Sequence, residues 1–263
     1  MKRLFFAFEI QAPWPEKLPP GRVLDIGQRH CTVIFLGNLE EKPLLDLLPE
    51  LPLPPFKLTP AGVFDQYMFL PVRYPRVAAW HINWGPFREA MNDYWELIHL
   101  FLHSKGIKVE RKHNFLPHVT LARKPFIQKD WENIFTTTPL LGSSFALYES
   151  LGSSRYQKIW EHPYISPWVE IEHTADIAFT ILGRTLQELQ LYAQLALAFK
   201  YPPLANYIQM LSSPETIDDI IIALNEMIGK ADTEIGCPLK AVSFHGEAQR
   251  IDNLLHWEMI VDV

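Results

Sequence analysis

Two apolar strands in this sequence open with the same polar device. "HCTVIFLG" runs from His30 to Gly37, and "HVTLA" runs from His118 to Ala122. Each begins with an imidazole at position i and a hydroxyl at i+2. On a strand those two positions point to the same side, and the residues between them point to the other. His30 and Thr32 therefore share one face, while Cys31, Val33 and Phe35 are expected to enter a core. His118 and Thr120 share a face against Val119 and Leu121. Such a chain must build β-structure with one face buried and a polar patch at each strand start. A lone pair of this kind reads as a strand edge satisfied by hydrogen bonds. A second copy, also heading an apolar strand, favours a shared site.

Two imidazoles facing each other suit one chemistry well. A phosphodiester with an internal leaving group needs a base to activate the nucleophile and an acid to protonate the departing oxygen. Histidine can do either near neutral pH. Two flanking hydroxyls can donate to the non-bridging oxygens as charge shifts in the transition state.

Composition limits the alternatives. The 263 residues are 48% hydrophobic, enough for one large core or two modest domains. The net charge of −6 argues against broad electrostatic binding of nucleic acid, though not against a small phosphate-bearing end. Cys31 and Cys237 lie far apart in apolar runs, which fits a reducing compartment better than a disulfide framework. The start, "MKRLFFAFEI", is too short and too soon interrupted by Glu9 for a signal peptide, and reads as a buried strand. No stretch has the length and apolarity of a membrane span. The expected location is the cytoplasm.

Strands are expected at 2–10, 30–36, 56–58, 68–72, 77–82 and 118–122, with two more around a Gly-Ser-Ser turn in 145–160. A Pro-rich loop covers 11–22 and a short helix 39–50. Helical spacing of Phe87, Met91, Tyr94, Trp95, Ile98, Phe101 and Leu102 predicts a helix over 85–104, stopped by Gly106. "HPYISPW" at 162–168 is the best linker. Beyond it come a strand to Leu182, a turn at Gly183, and a helix opened by the Thr185/Glu188 capping box. A second helix after Pro214 should stop at Gly229. A hairpin turned by Asp252-Asn253 closes the chain.

The pieces "MKRLFFAFEI", "HCTVIFLGN", "RKHNFLPHVTLAR" and "LYESLGSSRYQKIW", in that order, resemble the LigT-like 2H phosphoesterases, known as 2′-5′ RNA ligases or RNA 2′,3′-cyclic phosphodiesterases. The resemblance covers 1–165. It implies an α+β, bilobal fold of two antiparallel sheets with outer helices around a cleft. It also implies that His30 is the general acid and His118 the base, that Thr32 and Thr120 hold the phosphate, and that no cofactor is needed. Arg123 is a further candidate anion contact, with a solvated strand-end arginine as the other reading. The substrate implied is RNA with a 2′,3′-cyclic phosphate end, opened to a 2′-phosphate.

Residues 166–263 resemble archease, the small α+β accessory protein of RtcB-type RNA ligases. The resemblance lies in "EHTADIAFTILGRTLQELQLYAQLALAF", "TIDDIIIALNEMIGKADTE", "KAVSFHG" and the chain end "EMIVDV". It implies a Ca²⁺ or Mg²⁺ site at Asp176, Asp262 and Val263, a functional role for Lys240, and an RtcB-type ligase as partner. A strand-rich insertion usual between Glu234 and Lys240 is missing, so the domain is shortened. Two further readings stand beside the enzyme: a non-catalytic RNA-end-binding accessory of the ligase, and a 2′-5′ RNA ligase.

Overall fold

The computed structural model describes residues 1–109, 115–173, 175–209, 214–244 and 246–263. The chain divides into two compact units, residues 1–136 with 140–164, and residues 137–139 with 165–263. No helix among the described residues is long and apolar enough to cross a membrane.

The first unit is mixed α and β. In chain order it runs β1 (Lys2–Gln11), β2 (Arg22–Val23), β3 (His30–Leu39), α1 (Glu41–Leu47), β4 (Ala61–Leu70) and β5 (Val77–Asn83). There follow α2 (Arg88–Ser104), β6 (His118–Arg123), α3 (Gln128–Asn133), β7 (Thr138–Gly152) and β8 (Arg155–Pro163). The pairings of β1 with β3 and β7, of β6 with β2, β3 and β5, of β4 with β5 and of β7 with β8 are all antiparallel. One set of strands reads β8-β7-β1-β3 and the other β2-β6-β5-β4. In place of the two sheets expected, these sets are joined into one eight-stranded sheet. A single pair, Cys31 with Val119, links β3 to β6, and β4 also meets β7.

The core between these strands is aromatic. Phe6, Phe8, Phe64, Trp80, Trp84 and Phe145 are each no more than 1% exposed. Helix α2 adds Met91, Tyr94, Trp95, Ile98 and Leu102, the i, i+3, i+4, i+7 stripe read from the sequence.

Several expected boundaries move. The segments 56–58 and 68–72 do not form separate strands. One strand, β4, covers Ala61–Leu70 instead. Its first half was hidden by Gly62, Asp65 and Gln66, which strands usually avoid. Gly62 is required there, because a Cβ would lie 2.3 Å from the Asn83 carbonyl oxygen. The proposed linker shrinks, since Pro163 ends β8 and Trp168 opens β9. The Gly-Ser-Ser hairpin is as expected but longer. Ser153 and Ser154, at φ 51° and 63°, form its two-residue tip between the paired Gly152 and Arg155.

The most consequential departure is in β3. Phe5 pairs with Phe35 and Ala7 with Thr32, with a bulge between the two pairs. The extra residue reverses the alternation. Val33 and Ile34 are both buried, and Phe35, expected in the core, is 59% exposed on the side of His30 and Thr32.

The second unit comprises β9 (Trp168–Ile171), β10 (Ile177–Gly183), α4 (Leu186–Lys200), α5 (Ile217–Ile235), β11 (Ala241–Val242), β12 (Gln249–Ile251) and β13 (Leu254–Asp262). Its sheet reads β11-β13-β10-β9, with β12 on β13. Helix α4 is buried all along Leu189–Ala198, so it is central to this unit. Thr185 accepts from the Glu188 N–H, but the Glu188 carboxylate returns to the Arg184 N–H, one residue earlier than a standard box. The full box is at Thr216 and Asp219 on α5. That helix does not stop at Gly229. Ile228 and Ala231 are buried beside it, and their packing outweighs the roughly 1 kcal/mol that a helical glycine costs. Gly236, at φ 75°, ends the helix. The closing hairpin turns at Asp252 and Asn253, both at positive φ.

Candidate functional site

The cleft is built on the pair that joins β3 to β6. Cys31 and Val119 are both fully buried and directly opposed. One step along an antiparallel pair brings i−1 beside j+1, so this register sets His30 toward Thr120 and Thr32 toward His118. No further β3–β6 pair forms among the described residues, and the strands part on both sides. The space left is a cleft of about 590 Å³ lined by His30, Thr32, His118 and Thr120.

Both histidines are held in the same way. His30 Nδ1 donates to the Gln28 carbonyl at 2.8 Å, and His118 Nδ1 donates to the Leu116 carbonyl at 2.8 Å. A carbonyl can only accept, so Nδ1 carries the proton and Nε2 is the nitrogen that titrates. Burial is the main cause that pushes both rings below the ordinary imidazole value, His30 to about 4. Each ring is pushed further by a neighbouring imidazole, His118 in the case of His30 and His81 in the case of His118.

Their surroundings differ. His30 packs between aromatic rings, with centroids at 4.9 Å to Phe5, 5.5 Å to Tyr148 and 4.7 Å to Tyr156. Gln28 fixes this enclosure twice, since its side-chain oxygen also accepts from the Tyr156 N–H at 2.5 Å. His118 instead lies opposite His81 on β5.

Charge in the cleft is of one sign. Arg3, Arg22, Arg76 and Arg123 line it, and no carboxylate does among the described residues. Arg22 and Arg123 are directly opposed across β2 and β6, an arrangement that is unfavourable without an anion between them. Arg123 also donates to Tyr156 Oη at 3.3 Å, and its Nε is buried without a partner. An acidic chain thus keeps a basic pocket around its two imidazoles. Of the arginines, only Arg123 stood out in the sequence. The others lie singly on separate elements and have no local signature. Gln28, Tyr148 and Tyr156 were missed for the same reason.

The residues singled out in the second unit gather at the end of the β10–β13 ladder, where Ile177 pairs with Val261. Asp176 immediately precedes β10, and Asp262 follows Val261 on β13. Asp176 faces His173 Nδ1 at 3.7 Å, and Asp262 accepts from Ser243 Oγ at 3.3 Å. Lys240 Nζ donates to the Val263 oxygen at 2.5 Å, so an ammonium already occupies the oxygen that a metal would take. Among the described residues no group of three or more His, Cys, Asp or Glu is placed to hold a metal ion.

No protein-family model and no curated protein matches the chain. Solved structures do. The chain is similar to E. coli LigT complexed with 3′-AMP at 18% identity, over 62% of this chain and 98% of that one, with a TM-score of 0.44. It is similar to a structure described as a phosphoesterase at 18% identity, with the same two coverages and a TM-score of 0.43. TT0787 of Thermus thermophilus is similar at 19% identity, again over 62% and 98%, with a TM-score of 0.42.

Proposed function

We propose that the first unit is a metal-independent RNA 2′,3′-cyclic phosphodiesterase of the 2H type. The observation that carries this reading is the single Cys31–Val119 pair, which sets two His-x-Thr motifs on one arginine-lined cleft. His118 Nε2 takes a proton from water, and the water oxygen attacks phosphorus. The bond from phosphorus to the 3′ oxygen breaks, His30 Nε2 protonates that oxygen, and a 2′-phosphate is left. Thr32 and Thr120 donate to the non-bridging oxygens as negative charge grows on them.

His30 must be protonated to act as the acid, although burial keeps it neutral in the free protein at pH 7. The substrate supplies the charge needed, because an anionic phosphate beside an imidazole favours its protonated form. Phe35, exposed at the rim on the same face, offers a flat apolar surface to a nucleobase.

The test is turnover of an oligonucleotide with a 2′,3′-cyclic phosphate end. His30→Ala and His118→Ala should each lower kcat by ~10²-fold or more, as expected for loss of a general acid or base. Undiminished turnover in both variants would sink the assignment. Wild-type binding without turnover would favour the accessory-protein reading.

For the second unit we infer an archease-like role in assisting an RtcB-type RNA ligase that joins ends of the same chemical kind. The ordered sequence stretches support it. Any Ca²⁺ or Mg²⁺ held by Asp176, Asp262 and Val263 must first displace Lys240. Hard cations prefer such oxygens, so the exchange is chemically sound. Added Ca²⁺ or Mg²⁺ should raise the Tm of the full chain, and Asp176→Ala should abolish the rise. A Tm indifferent to both ions removes the metal from this reading.

A further inference from the structure

A second imidazole pair lies beside the cleft of the first unit, where His81 and Asp65 line a separate pocket. His81 on β5 is directly opposite His118 on β6. Its strand neighbours Trp80 and Ile82 are each 1% exposed on the other face, so His81 points to the side that His118 does. Strand β4 bulges beside it. Phe64 pairs with Ile82 and Gln66 with His81, which leaves Asp65 as the extra residue. The bulge aims Asp65 at His81, and the carboxylate oxygen lies 2.7 Å from His81 Nδ1. Since the carboxylate only accepts, Nδ1 of His81 is the nitrogen that donates to it. The reaction outlined above uses neither residue.

We propose that His81, held by Asp65, is a positioning residue for His118: when protonated it repels a second positive charge, and so keeps His118 in its basic form as the pH falls. The catalytic consequence rests on the phosphodiesterase reading, while the charge effect on His118 does not. Other charged groups also stand near His118. His30 faces it from β3. Arg123 shares its strand, with Arg22 opposite on β2, and Arg3 and Arg76 line the same cleft. Asp65 is engaged with His81, and Asp93 and Glu96 of α2 line the pocket beside that pair together with Arg88. His99 and Lys108 line a further pocket with His118, so three imidazoles, those of His30, His81 and His99, stand around it. His81 is also among the causes that lower His118, after burial.

A purely structural Asp65–His81 contact would hold β4 to β5 and leave His118 alone. The two readings separate by titrating the His118 ring in the full chain by NMR, in the wild type, in His81→Gln and in His81→Lys. Removing the imidazole should move the His118 midpoint to higher pH. A permanent cation should not reproduce that upward move. The acidic limb of kcat/KM should follow the ring in each case. An unmoved midpoint in His81→Gln overturns the inference, and so does an equal upward move in both variants, which would report packing and not charge. If the midpoint moves as expected but the wild type turns over no cyclic phosphate, the electrostatic inference stands and the enzymatic reading fails.

Discussion

The β3 half of the cleft and the β6 half use one backbone device in two environments. Each motif fixes its imidazole through Nδ1 to a carbonyl two residues upstream, and each presents a threonine two residues on. Around His30 the protein has placed Phe5, Tyr148 and Tyr156. Around His118 it has placed His81, with Asp65 behind it. Aromatic walls offer an imidazolium no ion pair, so on the proposed reading the counter-charge for His30 comes with a bound phosphate. A polar row can tune His118 without one. The duplicated motif supplies a pair of equivalent groups, and the walls make them unequal.

The largest effect that can break this comparison is a leaving-group test. An oxygen that departs as 4-nitrophenolate needs no proton, whereas the 3′ oxygen of ribose does. On a 4-nitrophenyl phosphodiester, His30→Ala should recover most of the ~10²-fold loss that it shows on a cyclic phosphate, and His118→Ala should recover none. Rescue of His118→Ala alone would exchange the two roles. Equal behaviour of the two variants would show that the walls do not divide the labour.

The threonines should behave alike, because the Cys31–Val119 pair relates them by near symmetry. Thr32→Val and Thr120→Val keep the side-chain volume and remove one donor each. Each should lower kcat/KM by about 10- to 100-fold, the range of ~1.5–3 kcal/mol expected for a hydrogen bond to a charged group. A large loss in one and none in the other would mean that a single hydroxyl meets the phosphate, so that the motif's symmetry is only one of sequence.

Much of this site could be read from residues that act locally. Strand periodicity alone set His30 with Thr32 and His118 with Thr120, and the helical stripe of α2 followed from its spacing. Non-local features were hidden. The bulge that turns Phe35 out to the cleft depends on its pairing with β1, and nothing in "VIFLG" announces it. Arg3, Arg22 and Arg76 meet only because separate elements converge. Asp65 argued against a strand at 61–66, and its placement at a bulge is what allows both the strand and the contact with His81. In the second unit, packing around Ile228 and Ala231 carried α5 past the glycine expected to stop it.

The last effect concerns stability. His30 is lowered to about 4 in the folded chain, against about 6.5 for an unperturbed histidine in the unfolded chain. Between those values the unfolded state binds the proton and the folded state does not. Stability must therefore fall as the pH drops from about 6.5 to about 4, and His30 adds no further loss below that. Other groups titrate in the same window, so the wild type is best compared with His30→Gln, which cannot bind the proton. In urea titrations the wild type should lose stability relative to this variant as the pH falls through the window. His118 is also lowered, so His118→Gln should show a difference of the same sign just below about pH 6.5. A stability gap between the wild type and His30→Gln that stays constant from about pH 7 to about pH 4 would mean that the aromatic enclosure admits enough water to solvate the imidazolium. The division between the two walls would then have to arise in the substrate complex alone.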